Sequence, residues 1–124
     1  MTVLTSSPYN LTYNTLVQAE AQAYNVQGWG GLSNANTVGA VIQVPPSQMG
    51  QPTRGSATTE TQIQVNWNAL TGVSTGGSAI TSYNLQWDQG NGTYVDLIGQ
   101  TGSEQTLTTY TQTSGVSAGQ TYNF

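Results

Sequence analysis

The 124-residue chain contains no cysteine, no histidine and no lysine, and its one cation, Arg54, stands against five acids: Glu20, Glu60, Asp88, Asp96 and Glu104. Each absence removes a class of chemistry. Serine and threonine are abundant, but no histidine, lysine or cysteine is present to activate a hydroxyl or to serve as a nucleophile in its own right. Metal centres built on histidine or cysteine are ruled out, and the lack of disulfides leaves the redox compartment unread. A single cation cannot form the basic footprint that displaces counterions from a nucleic acid, nor hold an anionic lipid surface. The apolar runs are short, such as Ala40-Val41-Ile42, far below the ~20 residues that a bilayer-spanning helix needs. Neither a basic segment nor an apolar segment follows Met1, so no signal peptide is expected at this start. The start, and the last residues Tyr122-Asn123-Phe124 in an expected strand, read as cuts in a longer polypeptide.

Charged residues make up 5% of the chain, against about 25% in ordinary globular proteins. Threonine, serine, asparagine, glutamine and glycine must therefore build the surface, and little charge repulsion opposes self-association. Eleven aromatics, three Trp, seven Tyr and one Phe, argue against disorder. Their spacing is that of strands. Ile63, Val65 and Trp67 alternate with Gln62, Gln64 and Asn66; Tyr83, Leu85 and Trp87 alternate with Asn84 and Gln86. Gln89-Gly90-Asn91-Gly92 has the composition of a hairpin turn, with Tyr94 to Ile98 returning. Leu16 to Tyr24 holds good helix formers, but Val17, Ala19, Ala21 and Ala23 alternate with polar residues, which predicts a strand. Gly39 to Val44 and Gln105 to Thr113 are further expected strands. Short strands separated by turns every 8–12 residues or so indicate an all-β sandwich or barrel.

From about Pro45 to Phe124 the chain resembles a fibronectin type III module. Ile63 to Trp67 resembles strand B with its core Trp, Ser82 to Trp87 strand C, and Thr93 to Leu97 strand C′. Val116-Ser-Ala-Gly-Gln-Thr-Tyr122 resembles the E–F loop and tyrosine corner, which implies a Tyr122 hydroxyl bonded back to the loop backbone. Val17 to Asn25, followed by Gly28-Trp-Gly-Gly-Leu-Ser33, resembles strands F and G, with Thr2 to Leu11 as the end of strand E; Val17 stands where the corner tyrosine is expected. The resemblance implies a fibronectin type III-like (immunoglobulin-like) β-sandwich in permuted order. Residues 1–43 would be the C-terminal part of one module (strands E-F-G), and residues 44–124 a module lacking its last strand. The chain is similar to the long tandem-repeat surface proteins of ciliated protists.

The function expected from this pattern is structural and non-enzymatic: a component of an extracellular filament or cell-surface coat, with no cofactor and no metal. Its partners would be copies of itself or adjacent repeats, in a head-to-tail assembly where neighbouring segments complete unpaired strands. Asn10-Leu-Thr and Asn91-Gly-Thr are N-glycosylation sequons. Trp67, Tyr83, Trp87 and Tyr122 are the expected module core. Trp29, between two glycines, would dock on a neighbour, cover the end of the core, or contact a sugar; the last belongs to an alternative function, adhesion or carbohydrate binding through an exposed aromatic. Asp88 and Asp96 face each other across the expected hairpin, but a hairpin rim offers no pocket and no partner to divide acid and base roles.

Overall fold

The computed structural model describes residues 2–124. Its regular structure is mostly strand, with two single-turn helices at Thr2–Thr5 and Gly72–Thr75, and every sheet among the described residues is antiparallel. The chain divides into two compact units, one running to Pro45 and including Gly76–Ser78, the other formed by Pro46–Thr75 and Ala79–Phe124.

The second unit holds the main core. Strand β3 (Thr53–Arg54) pairs with β4 (Ile63–Asn66), and β4 pairs with β7 (Thr109–Gln112), giving a three-stranded sheet in the order β3-β4-β7. Strands β5 (Leu85–Trp87) and β6 (Val95–Ile98) form a separate pair with a register shift between Leu85 and Gln86. Alternation along β4 and β5 sends one set of side chains inward. Val65, Trp67, Tyr83 and Leu85 form a buried cluster, and Met49, Ile63, Ile80, Leu97, Ile98, Tyr110 and Phe124 pack against it. The buried Tyr83 satisfies its hydroxyl by accepting the Leu70 N–H at 3.0 Å. Trp87 is buried as well, stacked on Tyr122 at 5.5 Å and on Phe124 at 6.1 Å.

The expected strand over Gln105 to Thr113 is shorter in the structure. Leu107 is exposed, its N–H caught by the Gln105 carboxamide, and pairing with β4 starts at Thr109. A local side-chain bond of this kind competes with the ladder.

The first unit is built around an extended hairpin. Strands β1 (Tyr24–Asn25) and β2 (Gly28–Trp29) face each other across Val26-Gln27. Behind them the pairing becomes irregular, which corrects the expectation of one continuous strand from Leu16 to Tyr24. Backbone bonds join Ala23 to Gly30, Ala21 to Ser33, Ala19 to Asn36 and Val17 to Ala40. Six residue steps from Val17 to Ala23 thus face ten from Gly30 to Ala40, so four residues must bulge on the returning side. The Asn36 side chain fills the gap, accepting the Ala19 N–H and donating to the Val17 and Val38 carbonyls, while the Ser33 hydroxyl accepts the Ala21 N–H. The expected strand from Gly39 to Val44 is likewise reduced to a short pairing: Leu16 bridges Val41, and Ile42 exchanges bonds with Asn14 and Thr15. Gly76 lies so close to the Val44 carbonyl that a Cβ there would overlap it, and its positive φ also favours glycine.

The first turn of the described chain is a second correction. Thr2–Thr5 is a short helix, α1, where the end of a strand was expected. The N–H groups of Tyr9 and Asn10 close onto the Ser6 carbonyl, and that of Leu11 onto the Leu4 carbonyl. The Ser6 hydroxyl donates to the Val3 carbonyl, and Pro8 has no N–H to give a neighbouring strand. No helix among the described residues is long and apolar enough to cross a membrane.

Candidate functional site

The exposed residues with the most to offer a partner lie on the β1–β2 hairpin. Its register sets Tyr24 opposite Trp29 and Asn25 opposite Gly28. Directly opposed residues share one face of a strand pair, and the two rings meet at 4.9 Å with a 52° tilt. Trp29 is 66% exposed and Tyr24 64%. Trp29 thus rests on Tyr24 and remains largely open to solvent, where covering the end of a core was one expectation for it. Tyr24 was missed in the sequence. The signal was present: two residues, Val26 and Gln27, separate Asn25 from Gly28, and a two-residue turn puts positions 24 and 29 side by side. The turn is held by Asn25, whose Oδ1 accepts the Gln27 N–H at 2.9 Å. Gln22 braces the other side, donating its Nε2 to the Gly30 carbonyl at 2.6 Å.

The opposite face of this hairpin carries Val17, Ala19, Ala21 and Ala23. The three alanines are exposed and Val17 is half-buried. Leu32 is 62% exposed. The single buried hydrophobic residue of this unit, among the described residues, is Ile42.

In the second unit, Trp67, Tyr83 and Trp87 are buried and Tyr122 is half-buried. Tyr122 Oη accepts the Ser117 N–H at 2.9 Å and donates to the Gly115 carbonyl at 3.2 Å, so the loop over 115–117 folds over the ring. A 280 Å³ cavity beside the core is lined mainly by apolar groups, among them Met49, Leu70, Ile80, Trp67, Tyr83 and Leu85. Trp67 Nε1 is the one buried side-chain polar atom without a hydrogen-bond partner among the described residues.

The two aspartates expected across the β5–β6 hairpin have separate partners. Asp88 is buried; its Oδ1 accepts the N–H groups of Gly90 and Asn123, and its Oδ2 accepts the Asn123 side-chain amide at 2.6 Å. The backbone bond from Asn123, then its side-chain amide and the Gly90 N–H, hold the Asp88 carboxyl below the ordinary carboxylate range. Asp96 accepts from the amides of Gln86 and Asn84, both at 2.9 Å, and these lower its pKa as well. Glu104 is lowered by the Gly102 N–H. Every shift favours the ionised form, the reverse of what a general acid needs. Among the described residues, no group of three acids is placed to hold a metal ion.

Both sequon asparagines are exposed. Asn91 sits in the turn between β5 and β6, where its Oδ1 accepts the Thr93 N–H at 2.8 Å and its Nδ2 makes no hydrogen bond among the described residues. Asn10 occupies a turn with φ of 48°.

Comparison of the chain with protein-family models, with curated proteins and with solved structures finds no match.

Proposed function

We propose that the protein is a structural, non-enzymatic component of an extracellular filament or surface coat, built head to tail from fibronectin type III-like modules that neighbouring segments complete. The observation that carries this reading is the uncovered apolar face of the first unit, with Ala19, Ala21 and Ala23 in solvent and, among the described residues, only one buried hydrophobic residue, Ile42, in the unit. A strand pair with so small a core is marginal in water and gains stability only by burial against another sheet. The second unit supplies the matching chemistry, a cavity lined by Trp67, Tyr83 and Leu85 at the start of β5. Small alanine side chains suit a wall of large rings, and strand addition satisfies the backbone as well. An adjacent repeat or a second copy would provide the completing segment.

The fibronectin type III assignment draws support from three features. The strand order β3-β4-β7 fits strands A, B and E; the pair β5-β6 fits C and C′; and the Tyr122 hydroxyl bonds the loop before it. The poverty of charge and the two exposed sequons suit a glycosylated surface location.

Sedimentation velocity from about 1 to 100 µM, with electron microscopy of the same samples, tests the reading. Size that grows with concentration and ends in filaments supports it, and Ala21→Glu, which puts a charge on the uncovered face, should return the protein to small species. A well-folded monomer throughout that range would sink it.

A further inference from the structure

We infer that the outer face of the β1–β2 hairpin binds a neutral carbohydrate, with a sugar ring packed on Trp29 and flanked by Tyr24. This goes beyond the structural role and does not depend on it, since Tyr24 and Trp29 stand on the face opposite the alanines. Two large aromatic rings about two-thirds exposed on a short hairpin are unfavourable in water unless something covers them. The rings meet at a 52° tilt, so their outward faces stand at an angle to each other. The arrangement is supported in advance: the register, the Asn25–Gln27 turn bond and the Gln22–Gly30 bond hold the backbone that carries both rings, which lowers the ordering cost of binding.

The groups around the rings define the ligand. Gln22 lies two residues from Tyr24, on the same face of the strand, and its Oε1 carries no hydrogen bond among the described residues, so an amide acceptor shares the face that carries the rings. Hydroxyls on the rim of a pyranose pair with amides, and its C–H face packs on an indole. No charged residue occurs between Glu20 and Arg54, so the β1–β2 turn carries no charge of its own, and the acid on the longer hairpin, Glu20, disfavours an anionic ligand. The exposed ring area is on the order of 300 Å², well short of the roughly 800 Å² per side of a stable protein interface. One or two sugar residues match it.

The test is saturation-transfer NMR on the full chain with cellotetraose, chitotetraose and mannotetraose, a measurement that works whether the protein is monomeric or assembled. Acrylamide quenching runs in parallel and reports Trp29, because Trp67 and Trp87 are 8% and 6% exposed. At least one sugar should receive saturation on its ring C–H protons and shield Trp29 from quencher. Trp29→Ala and Tyr24→Ala should each weaken binding by about tenfold or more, Trp29→Phe less, with the urea midpoint of the second unit unchanged. No transfer to any of the three sugars at about 10 mM overturns the inference, as does equal transfer with Trp29→Ala. Trp29 shielded without sugar, in proportion to protein concentration, overturns it too, because another copy then covers the face. Filament formation is read separately, so either reading can fail while the other stands.

Discussion

Replacing Tyr122 by Phe removes one oxygen and leaves the ring in place. That oxygen accepts the Ser117 N–H at 2.9 Å and donates to the Gly115 carbonyl at 3.2 Å. A neutral hydrogen bond contributes about 0.5–1.5 kcal/mol net. Ser117 and Gly115 are exposed, so water takes over the abandoned groups and each bond belongs at the low end of that range. The expected loss is about 1–1.5 kcal/mol, or a Tm lower by about 4–12 °C. Tyr122→Ala also removes the ring stacked 5.5 Å from Trp87. Stacking adds about 0.5–1.5 kcal/mol and lost burial roughly another 1 kcal/mol, for a total near 3 kcal/mol. Urea unfolding followed by tryptophan fluorescence gives both values, with an unchanged m-value showing that the denatured state is not altered. If the Phe variant unfolds at the wild-type midpoint while the Ala variant falls, the ring alone matters and the hydroxyl does not hold the loop.

Three further outcomes follow from the same structure. Gly99 has φ of +80°, and a Cβ there would overlap the Tyr83 carbonyl oxygen; Gly99→Ala should cost about 3 kcal/mol or more by chemical denaturation, and a near-neutral value would show that β5 and β6 are not packed this closely. Val65 is 3% exposed in the centre of the core, so Val65→Ala should cost about 2 kcal/mol in the same assay, whereas a loss below about 0.5 kcal/mol would place it at the surface. The Asp88 carboxyl lies below its ordinary value, so the stability it supplies is fully present above the ordinary carboxylate range and disappears only as pH falls through the lowered value. The Asn123 amide resonance should therefore move on acidification with a midpoint below the ordinary aspartate value; movement centred at or above that value contradicts the Asp88–Asn123 clasp.

What the sequence revealed depended on whether the determining contacts were local. Alternation in Ile63–Trp67 and Tyr83–Trp87 is a property of consecutive residues, and it points to the side chains that lie inside. Alternation in Val17–Ala23 was equally clear, yet the ladder there is interrupted, because register belongs to both strands and the returning run has four residues too many. No pattern within one strand reports its partner's bulges. Leu107 and Tyr110 could not share a face of one regular strand; the structure begins the strand at Thr109 and leaves Leu107 outside it. The clasp between Asp88 and Asn123 joins residues 35 apart and leaves no local trace. Tyr24 beside Trp29 was within reach, but required counting the turn instead of weighing Trp29 alone.

The carboxylates at Asp88 and Asp96 are held by amides, and no ion pair occurs among the described residues. Mobile ions weaken attraction between charges and leave contacts between neutral dipoles and apolar surfaces largely intact. A molecule fastened in this way should keep the same strength in dilute fresh water and in brine, so its firmness is set by shape and burial and not by the medium around it.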